Sequence, residues 1–266
     1  MKVDKTIRVT PLQFKSKIQD IAKAKNSRIV LALDFPFQNP NNSQELISKA
    51  DAIIEQVYPY ICAVKFNNHL VLPLGLFNGV KTLVDNIHDK GLLTIMDAKV
   101  NDIGNTNQII ADYYYAAGFD AIIANPFIGW EDGLKPLFET SRKQGKGVIL
   151  LTYMSHKGAI EGYGQTITDP TTGESMPQYL MFARKAATYE ADGAVVGATV
   201  PEKINEIHQI LNEKVPIYSP GIGTQGGSAE AAIKAGTNYL IVGREIISAQ
   251  NPAEATRKLV NSTKLI

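Results

Sequence analysis

The stretch LLTIMDAKVNDIGNTNQIIADYYYAAG, from Leu92 to Gly118, reads as a strand that turns directly into a helix. Its apolar opening, Leu92 to Met96, is short and bounded by polar residues, as expected of a buried strand. Side chains alternate faces along a strand, so Asp97 and Lys99 share one side while Met96, Ala98 and Val100 take the other. Asp102 follows in the turn. Thr106 lies near the start of the helix. Acid, base and acid within six residues could be an ordinary solvated turn, because exposed ion pairs are common and weak. The surrounding chain has to decide between that reading and a site.

The same unit recurs on both sides. Strands RIVLALD, ICAVKFN, LLTIMD, DAIIAN, KGVILLT, AVVGA, PIYSPG and NYLIVGR alternate with longer helical segments such as NSQELISKADAIIEQVY and PEKINEIHQILNEK. The strands are nearly continuous in apolar character, as expected where both faces of a parallel sheet are covered. Eight such units predict an α/β fold of the (β/α)8 TIM-barrel class, with an extra N-terminal helix over PLQFKSKIQDIAKAK. An open doubly wound sheet is the alternative. No break in composition divides the chain, so residues 1–266 are expected to form one domain.

On a barrel, active sites are built at the C-terminal ends of the strands. Asp34 closes the first strand, Lys65 the second, Asp97 and Lys99 the third, and Arg244 follows the eighth. The opposite rim shows no matching set in the sequence. This coincidence favours a site over a surface ion pair. The segment SPGIGTQGGSAEAAIKAG, with Pro220 and Gln225, places a Gly-rich turn before a helix with Ser228 as N-cap, and free N–H groups at such a terminus suit an anion. Together with Gly243 and Arg244 after the eighth strand, it occupies the usual phosphate position of the fold. Gly221, Gly223 and Gly226 also satisfy G-x-G-x-x-G. That dinucleotide fingerprint belongs in a first βα turn, whereas here six units precede it.

Composition excludes several classes. The 266 residues are 44% hydrophobic with Lys+Arg 27 against Asp+Glu 26, a net charge of +1. No basic footprint for nucleic acid follows. The single cysteine, Cys62, lies in an apolar run and is read as a small buried hydrophobe. The charged start (Lys2, Asp4, Lys5, Arg8) precedes no signal-like apolar segment, and no run approaches the roughly 18 apolar residues of a membrane span. A cytoplasmic protein without membrane contact is expected. The loop EGYGQTITDPTTGESMP, 161–177, carries only loop signals. Tyr113, Tyr114 and Tyr115 are read as packing or dimer contacts, Trp130 as packing, and His69 and His156 as non-catalytic.

LALD with Asp34, VKFN with Lys65, DAKVND with Asp97, Lys99 and Asp102, TYMSHKGA with Ser155, SPGIGTQGG with Pro220 and Gln225, and VGREI with Arg244 together resemble the orotidine 5′-phosphate decarboxylases of archaeal type. The similarity runs from about Arg28 to Ile247. Related magnesium-dependent sugar-phosphate enzymes share D-x-K-x-x-D but tend to place a metal-binding glutamate on the second strand, where this chain has Lys65. The resemblance implies metal- and cofactor-free conversion of orotidine 5′-monophosphate to uridine 5′-monophosphate, the last step of pyrimidine nucleotide synthesis, in a homodimer with shared sites. It implies that Lys99 stabilises and protonates the C6 carbanion, with Asp97 near the departing carboxylate. Asp102 and Thr106 would reach into the partner's site, Asp34 and Lys65 would bind ribose, Ser155 the pyrimidine, and Gln225 and Arg244 the phosphate. A magnesium-dependent sugar-phosphate lyase and a non-catalytic phosphate-binding barrel are the competing readings.

Overall fold

A computed structural model describes residues 13–36 and 42–264. The charged N-terminal stretch and the first two positions of the expected extra helix, Pro11 and Leu12, lie outside the described residues. From Phe14 the helix runs to Lys25. Eight parallel strands follow: β1 Ile29–Ala32, β2 Ala63–Phe66, β3 Leu93–Val100, β4 Ala121–Ala124, β5 Gly147–Tyr153, β6 Gly193–Val196, β7 Ile217–Pro220 and β8 Tyr239–Val242. They close in the order β1-β8-β7-β6-β5-β4-β3-β2, so the doubly wound alternative is excluded. Six of the eight are buried at every position; β7 ends on half-buried Pro220, and β3 emerges at Asp97, Ala98 and Lys99.

The apolar residues divide into two layers. Ile29, Leu31, Val64, Phe66, Met96, Ile122 and their outward-facing counterparts pack under the surrounding helices. Val30, Ala63, Ile95, Ala121, Ile149, Val195 and Ile241 fill the barrel interior. Fully buried Tyr218 stacks on Tyr239 there, with ring centroids 4.7 Å apart. The N-terminal helix closes the bottom with Phe14, Ile18 and Ala22. Gly147 is needed at that closure, since a Cβ on it would sit 2.5 Å from the Phe14 ring.

The bottom rim corrects one sequence expectation, because ionisable groups gather there too. Asp120, just before β4, accepts the Thr94 amide at 2.9 Å and pairs with His88 and Lys146. Asp192, just before β6, accepts the Val148 amide at 2.9 Å, and Asn238, before β8, accepts that of Ile217 at 2.8 Å. Each polar side chain thus caps the start of the preceding strand, whose first amides need a partner once buried. The equivalent place before β2 holds Cys62, whose thiol donates to Ile29 O at 3.3 Å. Burial pushes that thiol up to about 12, as befits the inert hydrophobe expected. Charge on a rim is therefore not in itself the mark of a site. What the side chains face decides it.

Loop 161–177 holds more structure than its composition suggests. Thr166–Thr168 and Ser175–Pro177 pair as an antiparallel hairpin. Asp169 turns it by accepting the Thr171 and Thr172 amides, and Gly173 supplies the positive φ of 73°. Arg184 braces it from the next helix through two bonds to Glu174, of 2.7 and 2.9 Å. The strands are too short for a hydrophobic period to register.

Candidate active site

At the C-terminal rim, β1, β2 and β3 present an alternating row of charge. Lys65 Nζ stands 3.0 Å from Asp97 Oδ2 and 3.4 Å from Asp34 Oδ1, and Lys99 Nζ lies 2.7 Å from Asp97 Oδ1. Neither Asp34 nor Lys99 is sealed off, their side chains being 35% and 40% exposed; that of Lys65 is 5% exposed. Burial is the largest influence on Lys65 and opposes its charge, but Asp97 and Asp34 outweigh it and hold the ammonium above its ordinary pKa. Asp97 is the mirror case. Burial pushes its carboxyl up, and Lys65 and Lys99 together bring it below the usual carboxylate range.

These two shifts set a pH window. A depressed Asp97 contributes stability above the unfolded carboxylate value of about 3.9, lost as pH falls through the folded value; a raised Lys65 contributes below about 10.4, lost as pH rises through its own. The melting-temperature gap between wild type and Asp97→Asn should therefore be level near neutrality and narrow below about pH 4. A gap unchanged down to pH 2 would show that the carboxylate's charge adds nothing to stability.

Regular pleating does not account for the shared direction of Asp97 and Lys99. Pairing steps four residues along β3, from Met96 to Val100, while β4 advances only two, from Ile122 to Ala124. The surplus forms a bulge, and Lys99 within it takes a φ of 50°. A lysine in the left-handed region is uncommon, and such conformations persist only where the surroundings impose them. Bulges re-aim side chains. This one turns both Asp97 and Lys99 toward the barrel mouth.

The row borders a cavity of about 650 Å³ at that mouth, a size suited to a small ligand. Asp34, Lys65, Asp97, Lys99, Ser155, Pro220, Gln225 and Arg244 all line it, so the closed barrel gathers eight of the eleven sequence-predicted positions. Ser155 Oγ donates to Gln225 Oε1 at 2.7 Å, joining the loops after β5 and β7. Gly243 stands behind the lining, where a Cβ would meet Ala32 O at 3.3 Å and Asp34 Oδ2 at 3.4 Å. Asp102 and Thr106 stay outside. Within its own chain the Asp102 carboxylate accepts the Ile103 amide at 2.7 Å.

The turn after β7 shows why its glycines are there. Gly221 and Gly223 adopt φ of 95° and 67°, and a Cβ on Gly223 would collide with the Glu245 carboxylate. The turn folds back on itself through Gly223 N to Gly227 O (2.9 Å) and Gly227 N to Gly221 O (3.0 Å). Ser228 caps the next helix through the Ala231 amide, as expected. Compact backbone, rather than a dinucleotide fingerprint, explains the G-x-G-x-x-G match.

The match to protein families agrees with this geometry. The model of the orotidine 5′-phosphate decarboxylase / HUMPS family fits residues 27–259. The chain belongs to that family. The orotidine 5′-phosphate decarboxylase of Pyrococcus abyssi is 36% identical over 237 residues, covering 89% of this chain and 99% of its own length. That of Thermococcus kodakarensis is 36% identical over 233 residues, covering 88% of this chain and 95% of its own. Among solved structures, the Methanocaldococcus jannaschii orotidine 5′-monophosphate decarboxylase complexed with inhibitor BMP superposes with a TM-score of 0.73 at 30% identity, covering 89% of this chain and 98% of that one. A Toxoplasma gondii protein described as a decarboxylase of the same kind reaches 0.82 at 23% identity, covering 94% and 96%, and speaks for the fold alone.

For a member of the orotidine 5′-phosphate decarboxylase / HUMPS family, two parts of the site were not legible in the sequence. Asn67 donates to Asp34 Oδ1 at 2.7 Å while its own oxygen caps the helix Asn68–Leu74 through the His69 amide. Its place two residues after Lys65, as the last residue of VKFN, is the signal that could have flagged it. Ile123, Leu151, Val195 and Ile241 form an apolar floor. Each lies one residue before a strand end or within reach of it, on the inward face, but alternation cannot be seen in strands that are apolar throughout. Tyr113, Tyr114 and Tyr115 separate by exposure, since successive helical positions diverge by a quarter turn or more: Tyr113 is exposed, and Tyr115 is buried with its hydroxyl on Ser141.

Proposed function

We propose that this chain decarboxylates orotidine 5′-monophosphate to uridine 5′-monophosphate and carbon dioxide, the last step in making the pyrimidine nucleotide. The observation that carries the proposal is the row Asp34–Lys65–Asp97–Lys99 at the edge of a cavity that Gln225 and Arg244 also line. In the reaction the bond between C6 and the carboxylate breaks, carbon dioxide leaves, and the electron pair stays on C6. Lys99 offsets that charge and then gives C6 its proton, which solvent restores. Asp97 stands beside the departing carboxylate and holds Lys99, while Lys65 holds Asp97. Charges fixed in this way over an apolar floor need no reorganisation as charge develops, the main source of such rate enhancement. Asp34 and Lys65 meet the ribose hydroxyls, Ser155 the pyrimidine edge, and Gln225, Arg244 and the backbone at Gly243 the phosphate, with Pro220 beside the ring.

The magnesium-dependent sugar-phosphate reading fits these residues less well. Lys65 stands between the Asp34 and Asp97 carboxylates, and among the described residues no three His, Cys, Asp or Glu side chains are grouped to hold a metal. The test is absorbance-monitored turnover of orotidine 5′-monophosphate by protein stripped of metal with EDTA. Full activity is expected. No turnover of orotidine 5′-monophosphate, either by the stripped protein or after magnesium is restored, would overturn this reading and favour the sugar-phosphate lyase.

The proposal extends to a cytoplasmic homodimer with shared sites, the whole chain acting as one domain. No helix among the described residues is long and apolar enough to cross a membrane. Ile109 and Tyr113, four residues apart, leave their side chains exposed on one face of the helix Gly104–Ala116, Ile103 is exposed just ahead of it, and Phe77 packs edge-on against Tyr113 at 6.1 Å. Contiguous exposed apolar surface of this kind suits association. Thr106 lies on that helix and Asp102 just ahead of it, so a two-fold contact there would carry both to the neighbouring cavity.

Subunit mixing tests this. Lys99→Ala and Asp102→Ala homodimers should each be nearly inactive. In a heterodimer one site receives both defects and the other neither, so an equal random mixture, half of it heterodimer, recovers about one quarter of wild-type activity in a two-fold assembly. Exchange verified by mass spectrometry without recovery would place Asp102 in its own chain's service.

A further inference from the structure

Asn107 is fully buried one turn into the helix Gly104–Ala116, where an amide side chain is out of place on packing grounds alone. Its hydrogen bonds explain it. Asn107 Oδ1 accepts the Asp102 amide at 3.0 Å, and Nδ2 donates both to the Asp102 carbonyl and, at 2.9 Å, to Gly133 O. The amide orientation follows from chemistry, since the opposite one would set its oxygen against two carbonyl oxygens. One side chain thus grips the backbone of Asp102 on both sides, as a neighbouring strand would, and ties it to the turn after β4. That turn is itself crowded against Gly104, where a Cβ would lie 3.0 Å from the Asp132 carbonyl.

We infer that Asn107 is the positioning residue that aims Asp102 into the partner's site. This rests on the proposed sharing of sites between subunits. With its backbone held at N and O, Asp102 keeps little freedom beyond side-chain rotation. The Ile103 amide, 2.7 Å from Asp102 Oδ1, restrains that rotation too. In the isolated chain no cation of the charged row reaches the Asp102 carboxylate, so its use depends on where the turn delivers it across the interface. A buried amide with both donors and its acceptor engaged cannot be replaced by an apolar residue without freeing the turn. The expected loss for Asn107→Ala is about a hundredfold in kcat, the scale of an ångström-sized misplacement.

Loss of activity alone would not separate aiming from folding, but complementation does. The defect of Asn107→Ala must travel with Asp102, not with Lys99. Mixed with Lys99→Ala, Asn107→Ala should therefore recover about one quarter of wild-type activity, as Asp102→Ala does. Mixed with Asp102→Ala it should recover nothing, because both sites of that heterodimer lack a well-placed Asp102. Activities are referred to heterodimer counted by mass spectrometry, and Asn107→Ser stands in if alanine reduces the folded yield. Recovery with Asp102→Ala, or none with Lys99→Ala while the Asp102→Ala and Lys99→Ala pair does recover, would overturn the assignment and leave shared sites intact. Failure of that control pair would instead overturn the sharing of sites, and this inference with it.

Discussion

Lys99→Ala should lose turnover of orotidine 5′-monophosphate by about four orders of magnitude or more, combining the usual worth of a preorganised electrostatic partner with that of a general acid. Binding of uridine 5′-monophosphate should change little. The reason lies in timing: the ammonium is needed most once negative charge sits at C6, and an interaction realised mainly in the transition state lowers kcat rather than affinity. Lys99 is well placed for such a role. Its Nζ rests 2.7 Å from Asp97 Oδ1, its backbone is held at a φ of 50° by the β3 bulge, and its side chain is the more open end of the charged row. Removing it leaves Asp97 still paired with Lys65 at 3.0 Å, so the fold should survive. Near-wild-type turnover in a purified, folded Lys99→Ala protein would remove the lysine from the chemistry.

Arg244→Ala should weaken binding of uridine 5′-monophosphate by about 2 to 4 kcal/mol, the upper part of the range for a charge-assisted contact whose partner is left unpaired. That corresponds to roughly thirty- to a thousandfold in Kd. Uridine, which lacks the phosphate, is the control and should bind almost as before. Arg244 follows β8 and lines the same cavity as Gln225 from the turn after β7, so the two converge only because β7 and β8 are neighbours in the closed sheet. Calorimetric titration of both ligands decides the matter. Equal losses for nucleotide and nucleoside would mean that Arg244 supports the site as a whole rather than a phosphate.

The fold was legible because its signal is local and repeated. Strands such as RIVLALD and KGVILLT are apolar throughout, as burial on both faces requires, and the helices between them carry their own periodicity. Where the signal was weak, the reading was coarser. Residues 161–177 carry only loop signals because three-residue strands leave no period, and the bottom rim shows no matching set in the sequence because each carboxylate lies far along the chain from the strand it caps, Asp120 serving Thr94 and Asp192 serving Val148.

By itself the sequence determined the barrel, its family and most of the residues at its mouth, because residue type and strand position together state which end of a parallel strand a charge occupies. It could not determine how those charges meet. Asp34 and Lys65 lie 31 positions apart in the chain, and only closure of the sheet brings them to 3.4 Å. Asp97 and Lys99 share a side through a bulge and a left-handed backbone, which depend on the register with β4 and cannot be seen in β3 alone. Asn67 behind Asp34 and Asn107 behind Asp102 are likewise matters of tertiary structure, since an amide's role follows from the carbonyls and carboxylates folded around it. In the sequence Asp102 reads as one more charge beside Asp97 and Lys99. The turn that Asn107 holds keeps it out of its own chain's row and leaves it beside the apolar helix face.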